Sequence, residues 1–473
     1  MRGNALRRTV LVLAASAVML GVVEPVASAQ TVNPSPSPSP SATRPTTPVL
    51  SARRFPAALV SDSDAELTSA VDAYTNKVVG STCALVELDG RRIVARSVDA
   101  PSTPASTLKM ATALAAIDVL GPDHTLQTRL VTDGRIDKGV LKGDLWVVGG
   151  GDPILTTKGY QAAFDDPDQV WSDFSRVADA ITDLGITRIT GSIIGDDSRY
   201  DDVRWVRSWP SRYQTGGTVS ALSALVVNDG NSGYAQSPDE PTTTRKVGDP
   251  PLLFAETLRT VLSQRGVVVE GGLSTGQAPT DGRELGAVDS LPVIDLVGEM
   301  LLDSDNTTAE LLTKEIGLAA GGRGSTEAGI TAIRQSLQAQ GIDIATLVMN
   351  DGSGLDTGNR ATCNLLFDLF ERLSATPELV AALPVGGRTG TLRRRMLATP
   401  SMTKVRAKTG TLSGVNTLVG MVDTNQGWSL DFAFMHSGAD GRTTGVADGF
   451  TDRLVTYGAR RAKSSALSPL PSR

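Results

Sequence analysis

The sequence predicts an α+β fold, an antiparallel sheet packed with helices and interrupted by a strand-rich insertion. Three observations carry this reading. Alternating runs over 83–88 and 92–98, and again over 404–408, 417–422 and 430–436, are joined by Gly-containing turns, the pattern of antiparallel strands. Helical periodicity occupies the flanks of the chain's middle third, around 105–120 and 291–301. Between those helices, residues 126–289 change character to short β-like runs separated by Gly- and Asp-rich turns. At 473 residues the chain exceeds the ~150 of a typical domain, so two domains, or one with a large insertion, are expected.

The elements follow in order. Arg2, Arg7 and Arg8 precede an apolar run over 10–23, and Ala27-Ser28-Ala29 offers a small-residue cleavage site, so 1–29 reads as a secretory signal peptide. That run is shorter than the about 20 residues that span a bilayer, which predicts export without stable membrane insertion after cleavage. Export leads to the periplasm and cell wall, or to the extracellular space. Residues 30–54 form a Pro/Ser-rich linker, since alternating proline and serine bury no apolar surface. The globular part begins near Arg54. A hairpin with Asp89-Gly90 at its turn comes first. A helix from about Ala105 follows, apolar on most faces and stopped by Gly121-Pro122.

Inside 126–289, strands are expected over 145–148 and 192–195 and a helix near 170–184. Helical periodicity resumes at Leu291, breaks at Asp303-Ser304-Asp305-Asn306, and restarts behind a capping box of Thr307 and Glu310. The last ten residues, 464–473, read as a disordered tail.

Composition excludes several functions. A net charge of −6 argues against nucleic-acid partners. Two histidines and two cysteines, without an HExxH motif, are too few for a structural or catalytic zinc site, and no metal or cofactor is expected. Cys83 and Cys363 form either one disulfide or two buried thiols. A Ser-His-Asp hydrolase needs a histidine base and a nucleophile elbow; only His124 and His436 exist, both placed as packing or surface residues, and no G-x-S-x-G occurs. Gly149-Gly150-Gly151-Asp152 lacks the Lys-Ser/Thr of a phosphate loop and reads as a tight turn. Trp205 and Trp209 read as packing residues rather than a glycan platform.

The chemistry sits elsewhere. In Ser106-Thr107-Leu108-Lys109, residues three apart share a helix face, so a hydroxyl lies within reach of an amine. Lysine serves as a base only if its pKa falls well below about 10.4, and burial in an apolar helix pushes it that way. S-x-x-K alone is a common accident. Here it is followed in order by Ser304-Asp305-Asn306 in an interhelical turn and by Lys408-Thr409-Gly410 on a strand.

These three motifs make the chain similar to the penicillin-binding proteins and serine β-lactamases. Gly143-Asp144-Leu145, Gly149 to Pro153, Val219-Ser220-Ala221-Leu222-Ser223, Asn350-Asp351-Gly352-Ser353-Gly354-Leu355 and the long interval from Lys109 to Ser304 narrow the resemblance to the low-molecular-mass class C D-alanyl-D-alanine carboxypeptidase/endopeptidases, peptidase family S13, over roughly 55–460. The resemblance implies a serine β-lactamase/transpeptidase-like catalytic domain in 55–125 and 290–463, with one or two smaller lobes inserted at 126–289. It implies Ser106 as the acylated nucleophile, Lys109 as its base, Ser304 as a proton shuttle and Asn306 as a substrate-amide contact. Lys408 would bind the substrate carboxylate and help depress Lys109. Thr409, Gly410 and Thr411 would complete the substrate edge, the backbone N–H groups of Ser106 and Thr411 forming an oxyanion hole worth roughly 10²–10³ in rate per donor. Expected partners are peptidoglycan stem peptides, with β-lactam antibiotics as inhibitors. Arg388-Thr389-Gly390-Thr391-Leu392 departs from relatives that carry an acidic residue before Gly-Thr-Leu. Two other readings share the motifs: a β-lactamase, for which no dedicated deacylation base is visible, and a non-catalytic wall-binding or β-lactam-sensing protein.

Overall fold

A computed structural model describes residues 57–164, 169–233, 245–438 and 445–458, with side chains from 62 onward. The expected signal peptide, Pro/Ser linker and C-terminal tail lie outside the described residues. The chain opens with helix α1 (Ala57–Thr75) and a hairpin of β1 (Ser81–Leu88) and β2 (Arg91–Arg96). Leu88 faces Arg91 across a two-residue turn, and Asp89 and Gly90 both take positive φ, 50° and 73°. That is the turn geometry Asp-Gly favours, because its twist matches the strands. Helix α2 (Lys109–Leu120) follows a single 3₁₀ turn at Ala105–Leu108 and ends where Gly121 takes φ 90°.

Residues 127–289 then build a second body of structure. Strands β3 (Gln127–Thr132), β4 (Leu145–Val148), β5 (Ile193–Asp196), β6 (Leu273–Thr275) and β7 (Arg283–Asp289) form a mixed sheet in the order β6-β5-β4-β3-β7. Helices α3 (Ser175–Thr182) and α4 (Pro250–Gln264) cover it through a core that includes Phe174, Ile181, Phe254 and Leu258. Helix α3 is shorter than the expected 170–184 stretch.

The chain returns through α5 (Val293–Leu302), α6 (Asn306–Ala319), α7 (Thr326–Ala339) and α8 (Cys363–Ser374) to three strands, β8 (Val405–Leu412), β9 (Val415–Asp423) and β10 (Ser429–Ser437), and helix α9 (Val446–Leu454). The principal sheet runs β8-β9-β10-β1-β2, antiparallel throughout, with β8 at one edge. Alternation explains its two coats. On β10, Ala433 and Met435 face the helices α2 and α5 to α8, whereas Phe432 and Phe434 face α1 and α9. A strand buried on both faces has no polar side, so the alternation expected over 430–436 is missing at its centre, where 432–435 are all apolar. The fold is α+β, as the sequence predicts. Cys83 on β1 and Cys363 at the start of α8 form a disulfide.

Candidate active site

Ser106 lies in the 3₁₀ turn that feeds α2, and that turn is clamped. Ala105 takes φ 47°, a left-handed conformation that costs a non-glycine residue on the order of 1–3 kcal/mol unless its surroundings impose it. Pro104 O accepts hydrogen bonds from Thr107 Oγ1 at 2.6 Å and Thr417 Oγ1 at 2.8 Å. Two glycines press from either side: a Cβ on Gly354 would sit 2.0 Å from Ala105 O, and one on Gly410 2.8 Å from Pro104 O. The third motif's glycine is therefore a packing necessity beneath the nucleophile.

Lys109 stands one turn further along the same face and is completely buried. Its Nζ donates to Ser106 Oγ at 3.0 Å, Asn306 Oδ1 at 2.7 Å and Ser353 O at 2.8 Å. All three partners are neutral oxygens. Burial lowers its pKa to about 8, against the partial opposition of Asp305, Asp351, Glu310 and Glu299.

The second motif occupies the turn between α5 and α6, where Ser304 takes φ 61°. The expected capping box does not form. Asp305 caps α6 instead, its carboxylate accepting from Thr307 N and Thr308 N at 2.9 and 3.0 Å. The displaced pair is used elsewhere: Thr307 Oγ1 donates to Asp229 Oδ1, and Glu310 Oε1 accepts from Gly352 N and Ser353 N. A carboxylate one residue ahead of the helix satisfies two orphan N–H groups, which frees the later side chains for tertiary bonds. Asn306 is fixed at both ends, Oδ1 on Lys109 and Nδ2 on Thr218 O at 2.8 Å.

Lys408, on β8 and also completely buried, donates to Ser304 Oγ at 2.8 Å and Thr409 O at 3.0 Å. Burial, then repulsion from Lys109, pushes its pKa well below the usual lysine value. Desolvation is the leading cause at both lysines, and the repulsion between the two cations adds to it. Thr409 and Thr391 share a hydrogen bond of 2.8 Å between their hydroxyls. Because β8 is an edge strand, its outward backbone groups toward Thr411 face the cleft rather than β9.

The motif residues form two hydrogen-bonded groups, Ser106–Lys109–Asn306 and Ser304–Lys408–Thr409, brought together by α2, the α5–α6 turn and β8. The hydrogen bonds of both motif lysines go to neutral groups. Sequence reasoning missed the carbonyls of Ser353 and Thr218, the acids Glu310 and Asp351, and Thr391. The segment 350–355 carries the only signal, a run of Gly and polar residues whose part in the site depends on the fold. Trp209 packs as expected and also donates Nε1–H to Asp351 at 2.8 Å. His436 lies on β10 against Thr82, and His124 O accepts from Val293 N, both structural placements. A cavity of about 410 Å³ continues from Ser304 and Asn306 past Thr218, Asp229, Tyr160 and Trp171. Among the described residues, no group of three or more His, Cys, Asp or Glu side chains is arranged to hold a metal ion.

The model of the D-Ala-D-Ala carboxypeptidase 3 (S13) family matches residues 67–236 and 232–454. The chain belongs to that family. This S13 chain is a serine-type D-Ala-D-Ala carboxypeptidase, a hydrolase. It is 28% identical to the D-alanyl-D-alanine carboxypeptidase of Actinomadura sp. (strain R39), over 85% of this chain and 86% of that protein. It is also 28% identical to a carboxypeptidase of Mycobacterium tuberculosis, over 78% of each chain. In fold the S13 chain is similar to penicillin binding protein 4 of Haemophilus influenzae, with a TM-score of 0.68 at 21% identity, over 81% of this chain and 98% of that one.

Proposed function

We propose that this carboxypeptidase removes the terminal D-alanine of peptidoglycan stem peptides through an acyl-enzyme on Ser106. The observation that carries the reading is a fully buried Lys109, its pKa lowered to about 8, with Nζ 3.0 Å from the Ser106 hydroxyl. Once neutral, Lys109 takes the Ser106 proton as Oγ attacks the penultimate D-alanyl carbonyl. The N–H groups of Ser106 and Thr411 hold the resulting oxyanion. Ser304, bonded to Lys408, delivers a proton to the departing D-alanine amine. Lys408, Thr409 and Thr411 bind the terminal carboxylate, whose charge favours the ammonium form of Lys408 on arrival. Gly410 lets β8 approach the nucleophile turn, and Asn306 holds the substrate amide. Water then frees Ser106.

A β-lactam presents a carbonyl and a carboxylate in a similar arrangement and acylates the same serine. A solved structure of the Haemophilus influenzae protein is complexed with a β-lactam, which supports β-lactam binding in this reading. Residues 126–289 act as an inserted lobe, and the cavity they share with the α5–α6 turn gives the stem peptide room upstream of the cleaved bond. The same room admits cross-linked stems, so endopeptidase action belongs to the reading. Export, predicted by residues 1–29, brings the enzyme to the wall. Among the described residues no helix is long and apolar enough to cross a membrane.

The test is intact mass after brief exposure to benzylpenicillin, peptide mapping, and D-alanine release from a peptide ending in D-Ala-D-Ala. One adduct on Ser106 together with D-alanine release is expected. Neither adduct nor hydrolysis would remove the catalytic reading, and rapid turnover of the penicillin would make the protein a β-lactamase.

A further inference from the structure

Beneath Lys109 lies a loop, residues 350–359, that the three motifs do not include. The Ser353 backbone faces two ways: its carbonyl accepts from Lys109 Nζ at 2.8 Å, and its N–H, one peptide earlier, donates to Glu310 Oε1 at 2.8 Å. Glu310 Oε1 also takes Gly352 N at 3.0 Å. On the far side Asp351, fully buried, accepts from Gly354 N, Asp356 N, Asn359 Nδ2 and Trp209 Nε1 at 2.6–2.9 Å. Thr112 Oγ1 of α2 donates to Gly352 O at 2.8 Å. Two buried acids therefore accept four backbone N–H groups of a single loop.

A lone backbone carbonyl is a weak handle on a lysine unless its peptide is held. An alignment error of about 1 Å at a reacting group costs on the order of a hundredfold in rate, so the holding groups act on the chemistry without touching substrate. Glu310 has a further peculiarity. Its second oxygen, Oε2, is buried with no hydrogen-bond partner among the described residues. An ionised carboxylate left half unsatisfied in a dry site is costly, whereas a neutral acid uses one oxygen as acceptor and buries the other at less expense. Burial likewise raises its pKa, to about 8, with Asp351 adding to the rise.

We propose that Glu310 and Asp351 are positioning residues that hold the 350–359 loop so that the Ser353 carbonyl aligns Lys109 on Ser106, and that Glu310 acts as a hydrogen-bond acceptor rather than as a charge. The proposal rests on Lys109 being the base. The charged groups facing Lys109 are Asp305 from the α5–α6 turn, Glu299 from α5, Glu310 from α6, Asp351 from the loop and Lys408 from β8. Removing the Glu310 acceptor releases the Ser353 carbonyl, and an ammonium that loses an acceptor loses its proton more readily.

The test uses the full chain and the rate of Ser106 acylation by benzylpenicillin across pH, with D-alanine release measured in parallel. Glu310→Ala is expected to slow acylation by about tenfold to a hundredfold and to move the ascending pH limb to lower pH. Glu310→Gln keeps an acceptor oxygen without the charge and is expected to restore the rate to within about threefold, with the limb near its wild-type position. Thr112→Val loosens the same loop from the other side and is expected to slow acylation several-fold while lowering Tm by only a few degrees, about the value of one buried hydrogen bond. Wild-type rate and limb in Glu310→Ala would overturn the proposal. Equal damage in Glu310→Gln would overturn it too, by making the charge the agent. If Glu310→Ala does not fold, Thr112→Val decides, and a wild-type rate there overturns it. An unmodified wild-type Ser106 would instead sink the underlying reading of the site.

Discussion

The two ends of helix α6 bury charge in opposite ways. At the C-terminal end, Lys314 is completely buried and contacts the Asp201 carboxylate, while Glu315 receives both a bidentate Arg199 and the Tyr200 hydroxyl. Each charge there meets its opposite, and the pairs seam 199–204 to the helical body. At the N-terminal end, Lys109 and Lys408 are just as buried, yet they contact hydroxyls, an amide oxygen and carbonyls. The acids beside them, Glu310 and Asp305, are likewise held by N–H donors and, at Asp305, by the Thr308 hydroxyl. Equal burial thus has two outcomes. Direct pairing fixes a charge in place and makes it structural, whereas burial without pairing leaves the protonation state adjustable, which a proton-transfer site requires.

Removing the adjustable lysine should produce the largest effect on chemistry. Lys109→Met is expected to reduce acylation by about 10³-fold or more, as Ser106→Ala abolishes it, because nucleophile and base act as a unit. Its Tm at pH 7 should not fall, since the folded protein no longer buries an amine whose charge is disfavoured there. A lower Tm by calorimetry would mean that Lys109 is structural and would break the comparison.

At the seam the opposite is expected. Asp201→Ala strands a buried ammonium and should cost about 3–5 kcal/mol of stability in denaturant titrations. The acylation rate of the folded fraction should stay at the wild-type level. A loss of rate without a loss of stability would assign the seam to the site.

The pH dependence of stability sharpens the point. Glu310 is raised from 4.5 to about 8, and Asp152 and Asp431 from 3.8 to about 6, all mainly by burial. Over those intervals the native state binds more protons than the unfolded chain, so stability is fullest below the unfolded values and declines as pH rises toward 8. Lys109 runs the other way, from about 8 up to 10.5, where the unfolded chain holds the proton and stability recovers. Tm should therefore fall from about pH 5 to 8, and Glu310→Gln should flatten the fall. A Tm rising across that range would contradict the burial argument.

The smallest effect is expected at the cleft edge. Thr391→Val removes the hydroxyl that meets Thr409 and should raise KM for a D-Ala-D-Ala peptide by about threefold to tenfold, the value of one modest hydrogen bond, with little change in kcat.

Much of this architecture was legible in residues alone. The Asp89-Gly90 turn, the Gly121 stop and the existence of a strand over 430–436 are local signals, and local physics decides them. Ser106, Lys109, Ser304, Asn306 and Lys408 were legible as motifs in order, because their types and spacing carry the chemistry. The rest depended on long-range geometry. Asp305 took the cap expected of Thr307, since the first carboxylate at the helix start satisfies two N–H groups while Thr307 faces Asp229. Ser353 and Thr218 act through carbonyls, which every residue has, so no side-chain pattern marks them. Both possibilities for Cys83 and Cys363 were compatible with the sequence, and only the packing of β1 against α8 brings the two together.

The most direct test of the unpaired-lysine account is the pH profile of Ser106 acylation by benzylpenicillin, followed by stopped-flow in the wild type and in Lys109→Met. The account predicts a rate that rises with pH through a midpoint near 8 and a rise that vanishes with Lys109. A profile that is flat, or whose midpoint lies near the ordinary lysine value of 10.5, would contradict it.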